Sequence, residues 1–312
     1  MSAPVATTKA LARSHVPWQV WFVVLGAIWG CSFWWIKLGL RWMTPVDVAF
    51  ARLAAGAGTL VLISLFTRSA WPRRASTWGH LFVVAILLNS APFTLFSYGE
   101  THVSAVLAGL INATTPLATL IVVLFVLRQE RASASVLTGL GVGLLGVVIL
   151  IGVWNGFGAS QWLGMGSCLA AVVCYGFGFS YARGHLATLS HSPVALATGQ
   201  VLCGTLQLLP FALLFGHVHA HPPLSSVMGL AALGILGTGV AYIINFHIVR
   251  NAPASVVSSV TYLTPIFAAI VGVTFLGESL TWNEPIGAIL ILVGAALAQG
   301  RFQRRGSSAA PV

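Results

Sequence analysis

Long apolar segments separated by short polar connections run through the whole chain, and they restrict its fold more than any other feature. A stretch of about 20 apolar residues is long enough to cross the roughly 30 Å hydrocarbon core of a bilayer as an α-helix. Because lipid cannot hydrogen-bond the backbone, such segments are expected to cross as helices. The sequence therefore predicts an all-α polytopic membrane protein. Its ten transmembrane helices, numbered spans 1 to 10, are expected near residues 18–36, 45–67, 78–98, 103–127, 134–153, 161–182, 193–216, 225–249, 253–276 and 283–300.

Composition agrees with a lipid environment. Apolar residues make up 57% of the 312 residues and charged residues only 6%, which leaves too little polar surface for a water-soluble globule of this size. The net charge of +10 does not indicate nucleic acid, because the basic residues are scattered between the apolar segments. The four cysteines lie inside apolar segments and predict no disulfide framework. The lipid bilayer is the expected partner, and a nucleic acid is not.

The basic residues also predict the orientation of the chain. With the N-terminus in the cytoplasm, twelve of them face the inner side and only Lys37 and Arg41 face the outer side, in keeping with the positive-inside rule. The inner twelve are Lys9, Arg13, Arg68, Arg73, Arg74, Arg128, Arg131, Arg183, Arg250, Arg301, Arg304 and Arg305. We therefore expect a multi-pass protein of the cytoplasmic membrane, with cytoplasmic tails at residues 1–17 and 303–312.

The chain repeats itself after about half its length. Matching positions, at offsets of 146 to 149 residues, are Trp29-Gly30 with Tyr175-Gly176, Arg52 with Gln200, and Thr115-Pro116 with Thr264-Pro265. These matches predict two repeats of five spans each, at residues 18–155 and 156–302. Because five is an odd number, the second repeat enters the membrane from the opposite face, and the repeats are inverted. Inverted repeats with helix breakers at matching positions are typical of transporters that bind their solute near the bilayer midplane.

Prolines inside the spans mark the expected site. A proline in a helix interior removes one backbone hydrogen bond and leaves carbonyl groups that need partners or a cavity. Helix kinks are predicted at Pro92 in span 3, Pro116 in span 4 and Pro265 in span 9. Spans 1, 3, 4, 6, 8 and 9 are expected to line a cavity, with spans 5 and 10 outside it. The candidate substrate-pathway residues are Trp29, Asn89, Tyr98, Asn112, Thr115, Tyr175, Tyr242, Asn245, His247, Thr261 and Tyr262.

The sequence leaves two interpretations open for several of these residues. Polar side chains in spans also serve as hydrogen-bonding contacts between helices. His247 either titrates near neutral pH or makes such an interhelical bond. Arg52 is the intramembrane charge, and it either binds the solute or extends outward to pair with Asp47, Glu100 or Glu278.

The charges that are missing narrow the class of solute. No Asp or Glu lies in the middle of a span, which disfavours a proton-coupled site for lipophilic cations. A phosphorylated anion would need a cluster of inward-facing basic residues. An uncharged or zwitterionic small molecule, such as an amino acid, fits best, and a monomer would be sufficient to carry it. The spans also lack the nucleophile, paired carboxylates or metal ligands of a membrane enzyme, and the loops are too short for a receptor or scaffold. We expect no catalytic residue and no cofactor.

Two other patterns have ordinary explanations. Gly141, Gly143 and Gly146 satisfy a dinucleotide-binding spacing, but no strand precedes them, so close helix packing is the better interpretation. His217, His219 and His221 alternate in the connection between spans 7 and 8, an arrangement that can bind zinc or copper. Because two prolines follow, we interpret this segment as an exposed loop and predict no metal site.

Taken in order, the motifs resemble the EamA domain of the drug/metabolite transporter superfamily. They are Trp29-Gly30, the spacing from Pro45 to Arg52, and each Thr-Pro pair followed by an acid, Glu130 in one repeat and Gly277-Glu278 in the other. The resemblance implies a ten-helix fold, cytoplasmic termini and movement of small metabolites, often amino acids and usually outward. Members also carry sugars, nucleotide-linked compounds and drugs, so a drug efflux permease is the alternative. The second repeat departs from the pattern at Tyr175 and Gln200, which leaves symmetric roles for these two positions open.

Overall fold

A computed structural model describes residues 17–127, 133–186, 189, 191–251 and 258–306. The tails predicted at 1–17 and 303–312 and the beginning of predicted span 9 lie largely outside these ranges, as does Glu130. The helix of span 10 continues to Gly306, past the start of the segment predicted as a tail.

Within the described residues, helices form ten consecutive hydrophobic spans. They are Trp18–Leu40, Pro45–Phe66, Ala75–Gly99, Ala105–Val126, Ala134–Ile151, Ala159–His185, Pro193–Phe215, the run Leu224–Gly234, Ile235–Val240 and Ala241–Asn251, the pair Ser258–Tyr262 and Thr264–Leu276, and Asn283–Gly306. Eight segments are long and apolar enough to cross a membrane, and spans 9 and 10 contain shorter apolar helices. In the described ranges the one β-type pairing is an isolated bridge between Met43 and Val218. The predicted all-α fold of two five-helix repeats is confirmed.

Spans 4 and 9 are interrupted rather than merely kinked. The first helix of span 4 ends at Asn112, and a new helix begins at Thr115 with Pro116 in its first turn. In span 9 a 3₁₀-helix ends at Tyr262, and an α-helix begins at Thr264 in the same way. A proline costs little in the first turn, because the N–H that it lacks has no partner within the helix there. The Thr-Pro pairs therefore start new helices in the interior of their spans.

Spans 3 and 8 contain a second pair of matching irregularities. Each has one π-helical segment, Ile86–Ser90 and Ile235–Val240, whose starting residues are 149 positions apart. Pro92 follows the first of these segments and lies in the first turn of the next α-helix. A π-helical turn rotates the residues that follow it relative to a regular helix and is frequent at functional sites. The segment places Asn89 and Thr238 at corresponding positions of the two repeats.

The Trp-Gly and Tyr-Gly pairs allow spans 1 and 6 to approach the interrupted helices. A Cβ atom at Gly30 would lie 2.7 Å from the carbonyl oxygen of Thr264, and one at Gly176 would lie 3.1 Å from that of Ala118. Only glycine leaves room for such close contact between two backbones. Each interrupted span is thus held against a helix of the other repeat.

Spans 5 and 10 form a separate pair that packs backbone against backbone. A Cβ at Gly139 would lie 2.6 Å from the carbonyl oxygen of Gly294, and one at Gly146 would lie 2.7 Å from the nitrogen of Ile291. Gly143 packs against Leu117 of span 4. These glycines support close helix packing.

Candidate functional site

A cavity of about 350 Å³ lies between the two repeats, next to the breaks in spans 4 and 9. Within the described ranges, side chains of spans 5 and 10 do not reach it. Spans 2 and 7, which were not among the expected lining helices, contribute Arg52 and Gln200. Each repeat therefore supplies four spans to one shared space.

Eight of the residues singled out from the sequence meet at this cavity. They are Trp29, Arg52, Asn112, Thr115, Tyr175, Tyr242, Asn245 and Thr261. Aromatic side chains form much of the wall beside them. Phe33 and Phe96 meet edge to face with ring centroids 5.6 Å apart, and Phe96 lies 6.0 Å from Tyr175. The cavity thus combines an apolar aromatic wall with a few polar groups.

Asn89 lies behind the cavity and orients two of its polar groups. Its side chain is 0% exposed, and its Oδ1 atom accepts a hydrogen bond of 2.6 Å from Nε2 of Gln200. Its Nδ2 atom donates to the hydroxyl of Tyr242 over 3.0 Å. Buried polar groups need such partners, because leaving one unsatisfied costs about 1–3 kcal/mol. Asn89 therefore positions Gln200 and Tyr242 at the cavity wall.

Arg52 is buried at the cavity wall and is held by neutral groups. Its side chain is 8% exposed, and its Nε atom donates to Oγ1 of Thr238 over 3.1 Å. The central guanidinium carbon lies 3.7 Å from the ring centroid of Phe93, a cation–π contact. The sequence did not single out Thr238 or Phe93, since nothing local to them indicates a contact with span 2.

The four described acidic side chains do not accept a hydrogen bond from Arg52. Asp47 accepts from the hydroxyl of Thr44 and the backbone N–H of His217, and Glu278 and Glu284 accept from backbone N–H groups at helix starts. The carboxyl oxygens of Glu100 are buried without a hydrogen-bond partner in the described part of the chain. Arg52 therefore makes no hydrogen bond to a described acid, although Glu100 is near enough to interact with its charge.

Tyr98 and His247 lie outside the cavity, contrary to expectation. Tyr98 is 41% exposed and packs against His102, and His247 is exposed beside Trp21. Each stands two positions after a lining residue, and two positions correspond to a rotation of about 200° around an α-helix. Both side chains therefore point away from the cavity wall that their neighbours form.

The remaining candidates lie near the cavity without lining it. Tyr262 ends the 3₁₀-helix of span 9 and packs against an apolar cluster to which spans 1, 3, 4, 5, 6, 9 and 10 contribute. Pro92, Pro116 and Pro265 each lie in the first turn of a helix. They shape the backbone around the site.

The histidine-containing loop pairs with the connection between spans 1 and 2. The backbone N–H of His219 donates to the carbonyl oxygen of Trp42 over 3.1 Å, and the indole N–H of Trp42 donates to the carbonyl oxygen of His219 over 2.8 Å. Among the described residues, no three His, Cys, Asp or Glu side chains are grouped so that they could hold a metal ion.

Known proteins resemble the chain over most of its length. A sequence model of the EamA-like transporter family matches residues 16–152 and again 162–299. An "Uncharacterized transporter" of Archaeoglobus fulgidus is 27% identical over 281 residues, which cover 86% of this chain and 93% of that protein. The "Uncharacterized inner membrane transporter YedA" of Escherichia coli is 24% identical over 270 residues, 85% of this chain and 86% of its own.

The fold also matches a solved structure, titled "Crystal structure of protein". The two superpose with a TM-score of 0.64 at 18% sequence identity, over 92% of this chain and 98% of the other. The double match to the family, one in each repeat, agrees with the inverted halves that meet at the cavity. The chain belongs to the EamA-like transporter family and is a multi-pass membrane transporter of the drug/metabolite transporter superfamily.

Proposed function

We propose that the protein transports a small neutral or zwitterionic metabolite, an amino acid or a closely related compound, and exports it from the cell. The observation that carries this proposal is the cavity between the repeats, where Arg52 is the basic side chain among the described lining residues and stands beside neutral polar groups and aromatic rings. Its volume of about 350 Å³ suits a small metabolite, since ligand pockets usually measure about 300–1,000 Å³.

The charges of the cavity wall support a solute with little or no net charge. Arg52 would repel a cation, and a phosphorylated anion would need more than one basic group to replace its hydration. The amides of Asn112, Gln200 and Asn245 offer both donors and acceptors, and the aromatic faces can accept an ammonium group. A zwitterion finds partners for both of its charges in such a cavity.

The arrangement of the helices supports alternating access. Spans 4 and 9, which are related by the inversion, are both discontinuous beside the cavity. Such breaks allow the outer and inner halves of a span to move separately around a fixed site. We therefore propose that rocking of the repeats opens the cavity to one side at a time, and we propose no catalytic step.

The distribution of basic residues supports a location in the cytoplasmic membrane with both termini in the cytoplasm. The Escherichia coli relative is named an inner membrane transporter, which agrees with this location. Cysteine labelling from outside the cell would test the orientation. A cysteine at Arg41 should react with an impermeant maleimide, and one in the connection between spans 2 and 3, such as at Ser69, should not.

The aromatic wall favours a second candidate, a drug efflux permease. Phe33, Phe93, Phe96 and Phe179 line the same cavity, and they would accept a planar lipophilic compound as well as an apolar amino-acid side chain. The two candidate ligands differ in the charge that they carry at the end away from the aromatic wall.

Flux measured in proteoliposomes tests the proposal. We expect purified protein to exchange radiolabelled amino acids against an unlabelled internal pool. We expect it not to transport a panel of lipophilic cations. Liposomes without protein give the background. Folded protein that moves none of the amino acids would overturn the amino-acid assignment, and movement of the lipophilic cations alone would favour the drug permease.

A further inference from the structure

We infer that Arg52 binds the carboxylate of the transported solute, so that the site selects monocarboxylates with an apolar or aromatic body. This inference rests on the proposed transport function and narrows its substrate class. It is carried by the hydrogen bonds of the guanidinium group and by the residue that occupies the matching position in the other repeat.

The guanidinium group of Arg52 has more hydrogen-bond donors than the described residues use. It carries five N–H groups, and its Nε–H is taken by Thr238. No described residue accepts a hydrogen bond from either terminal amino group. A buried charge without a hydrogen-bonded counter-charge is costly, and a charged side chain inside a membrane span often marks a ligand site. A carboxylate of the solute supplies both the opposite charge and two acceptor oxygens.

The orientation of the guanidinium group favours this ligand. One face lies on the ring of Phe93 at 3.7 Å, and the bond to Thr238 fixes the rotation of the plane. The edge with the two terminal amino groups then remains for a planar partner with two oxygens, which is the geometry of a bidentate pair with a carboxylate. The edge-to-face pair of Phe33 and Phe96 lines the same cavity and can pack against the apolar body of the solute.

The second repeat shows that the helix contact itself does not require the positive charge. Gln200 matches Arg52 in the repeat, and Asn89 matches Thr238 at an offset of 149 residues. Arg52 of span 2 bonds Thr238 of span 8, and Gln200 of span 7 bonds Asn89 of span 3. The same interhelical contact is thus made once with a charged side chain and once with a neutral amide. Among the described residues the Arg52 guanidinium contacts the Phe93 ring and hydrogen-bonds Thr238 but no carboxylate, and we assign the carboxylate of the ligand as its hydrogen-bonded counter-charge.

Three matched probes test the inference: L-phenylalanine carries an ammonium group and a carboxylate, 3-phenylpropionate carries the carboxylate alone, and L-phenylalaninamide carries the ammonium group without a carboxylate. Binding is measured as ligand-induced thermal stabilisation of the purified protein, and transport as inhibition of amino-acid exchange. We expect both carboxylates to stabilise the wild type and the amide to have little effect. Arg52→Gln should weaken carboxylate binding by roughly ten- to a hundredfold, as expected for the loss of charged hydrogen bonds. Arg52→Lys should retain part of the affinity.

Arg52→Gln is a suitable variant because Gln200 already makes the equivalent contact. Its melting temperature without ligand should be close to that of the wild type. If it does not fold, the comparison of Arg52→Lys with the wild type and the choice between carboxylate and amide still decide the question. Tyr98→Phe, outside the cavity, should bind all three probes as the wild type does.

The results separate this inference from the proposed function. Equal stabilisation by the amide, unchanged carboxylate binding by Arg52→Gln, or no stabilisation by either carboxylate would each overturn the carboxylate site. If the wild type nevertheless exchanges the amide or a solute without a carboxylate, transport stands and the substrate class is wrong. If carboxylates bind through Arg52 and no solute moves, the carboxylate site stands and the transport proposal fails.

Discussion

The carboxylate of Glu278 accepts a hydrogen bond of 2.8 Å from the backbone N–H of Ala105. Its second oxygen accepts from the N–H of Val106 over 2.9 Å. The end of span 9 in one repeat is thereby tied to the first turn of span 4 in the other. The negative charge also interacts favourably with the N-terminus of the span 4 helix. One side chain therefore connects the two discontinuous spans at this side of the protein.

Glu278→Ala should lower the free energy of unfolding by roughly 1–3 kcal/mol, because two backbone N–H groups lose their charged acceptor. Glu278→Gln should cost less, since its amide oxygen can still accept one bond. Thermal unfolding in detergent measures both, with the exposed Thr101→Ala as the control. An alanine variant as stable as the wild type would show that this tie contributes little.

Gly287→Ala should destabilise the pairing of spans 5 and 10. The added methyl group would lie 2.5 Å from the Cα atom of Leu150, so the two backbones must separate, at a cost of roughly 1–3 kcal/mol. Gly141→Ala is the matched control, because no atom lies within 4 Å of its added methyl group. It should be neutral or slightly stabilising, since alanine favours the helix. Equal melting temperatures for the two variants would contradict the close packing.

Asn89 and Gln200 should be energetically coupled. Either side chain changed to alanine leaves its partner buried without the 2.6 Å hydrogen bond, so the second substitution should cost less than the first. A double-mutant cycle on thermal stability should give a coupling of about 0.5–3 kcal/mol. Additive effects would mean that the bond is not important in the folded protein.

Asn112→Leu should reduce solute exchange roughly three- to tenfold, as expected for the loss of a single hydrogen bond at the site. Asn112 lines the cavity at the break in span 4. Tyr98→Leu, on the outward face of span 3, is the control and should leave exchange unchanged. Exchange rates in proteoliposomes, corrected for the amount of reconstituted protein, provide the comparison. A similar loss in both variants would contradict the placement of the cavity.

Glu100 should make the protein less stable as the pH rises. It follows the last residue of span 3 and is 1% exposed; burial raises the pKa of its carboxyl well above 4.5, and the Lys37 ammonium and the Glu278 carboxylate act on it in opposite directions. The folded protein therefore keeps this proton at pH values where the unfolded chain has released it. The free energy of unfolding declines as the pH rises above about 4.5, the ordinary carboxyl pKa.

Glu100→Gln removes this titration and should flatten the pH profile. We expect the variant to be more stable than the wild type at neutral pH and to lose that advantage in acid, below the ordinary carboxyl pKa. Melting temperatures between about pH 4 and 8 measure the difference. A constant difference across the range would show that Glu100 does not titrate differently in the folded state.

Local sequence patterns predicted the spans and the repeat because both are properties of short segments. Apolar length identifies a helix that crosses lipid, and the Thr-Pro pairs align without any knowledge of contacts. The same pattern could not distinguish a kink from an interruption. Whether the helix continues before Pro116 depends on how Ala113 and Thr114 pack. The Thr-Pro pair carries no information about that packing.

The faces of the helices were harder to predict. Tyr98 and His247 stand at matching positions in the two repeats, and both were predicted to line the cavity but lie outside it. The helical period counted from Phe96 and Asn245 would have placed them on the opposite face. Gln200 carried a usable signal, its alignment with Arg52, although it was not chosen as a site residue.

Hydropathy, charge and repetition along the chain were enough to predict the class of the protein, with ten apolar spans, two inverted halves and one intramembrane arginine. The surroundings of that arginine come from contacts between residues that lie far apart in the chain. Thr238 lies 186 positions from Arg52 in the chain and meets it because the two repeats pack against each other. The π-helical segments set which side chains of spans 3 and 8 face inward. Contacts between distant spans arise from helix rotation and packing, and neither is encoded in any one segment.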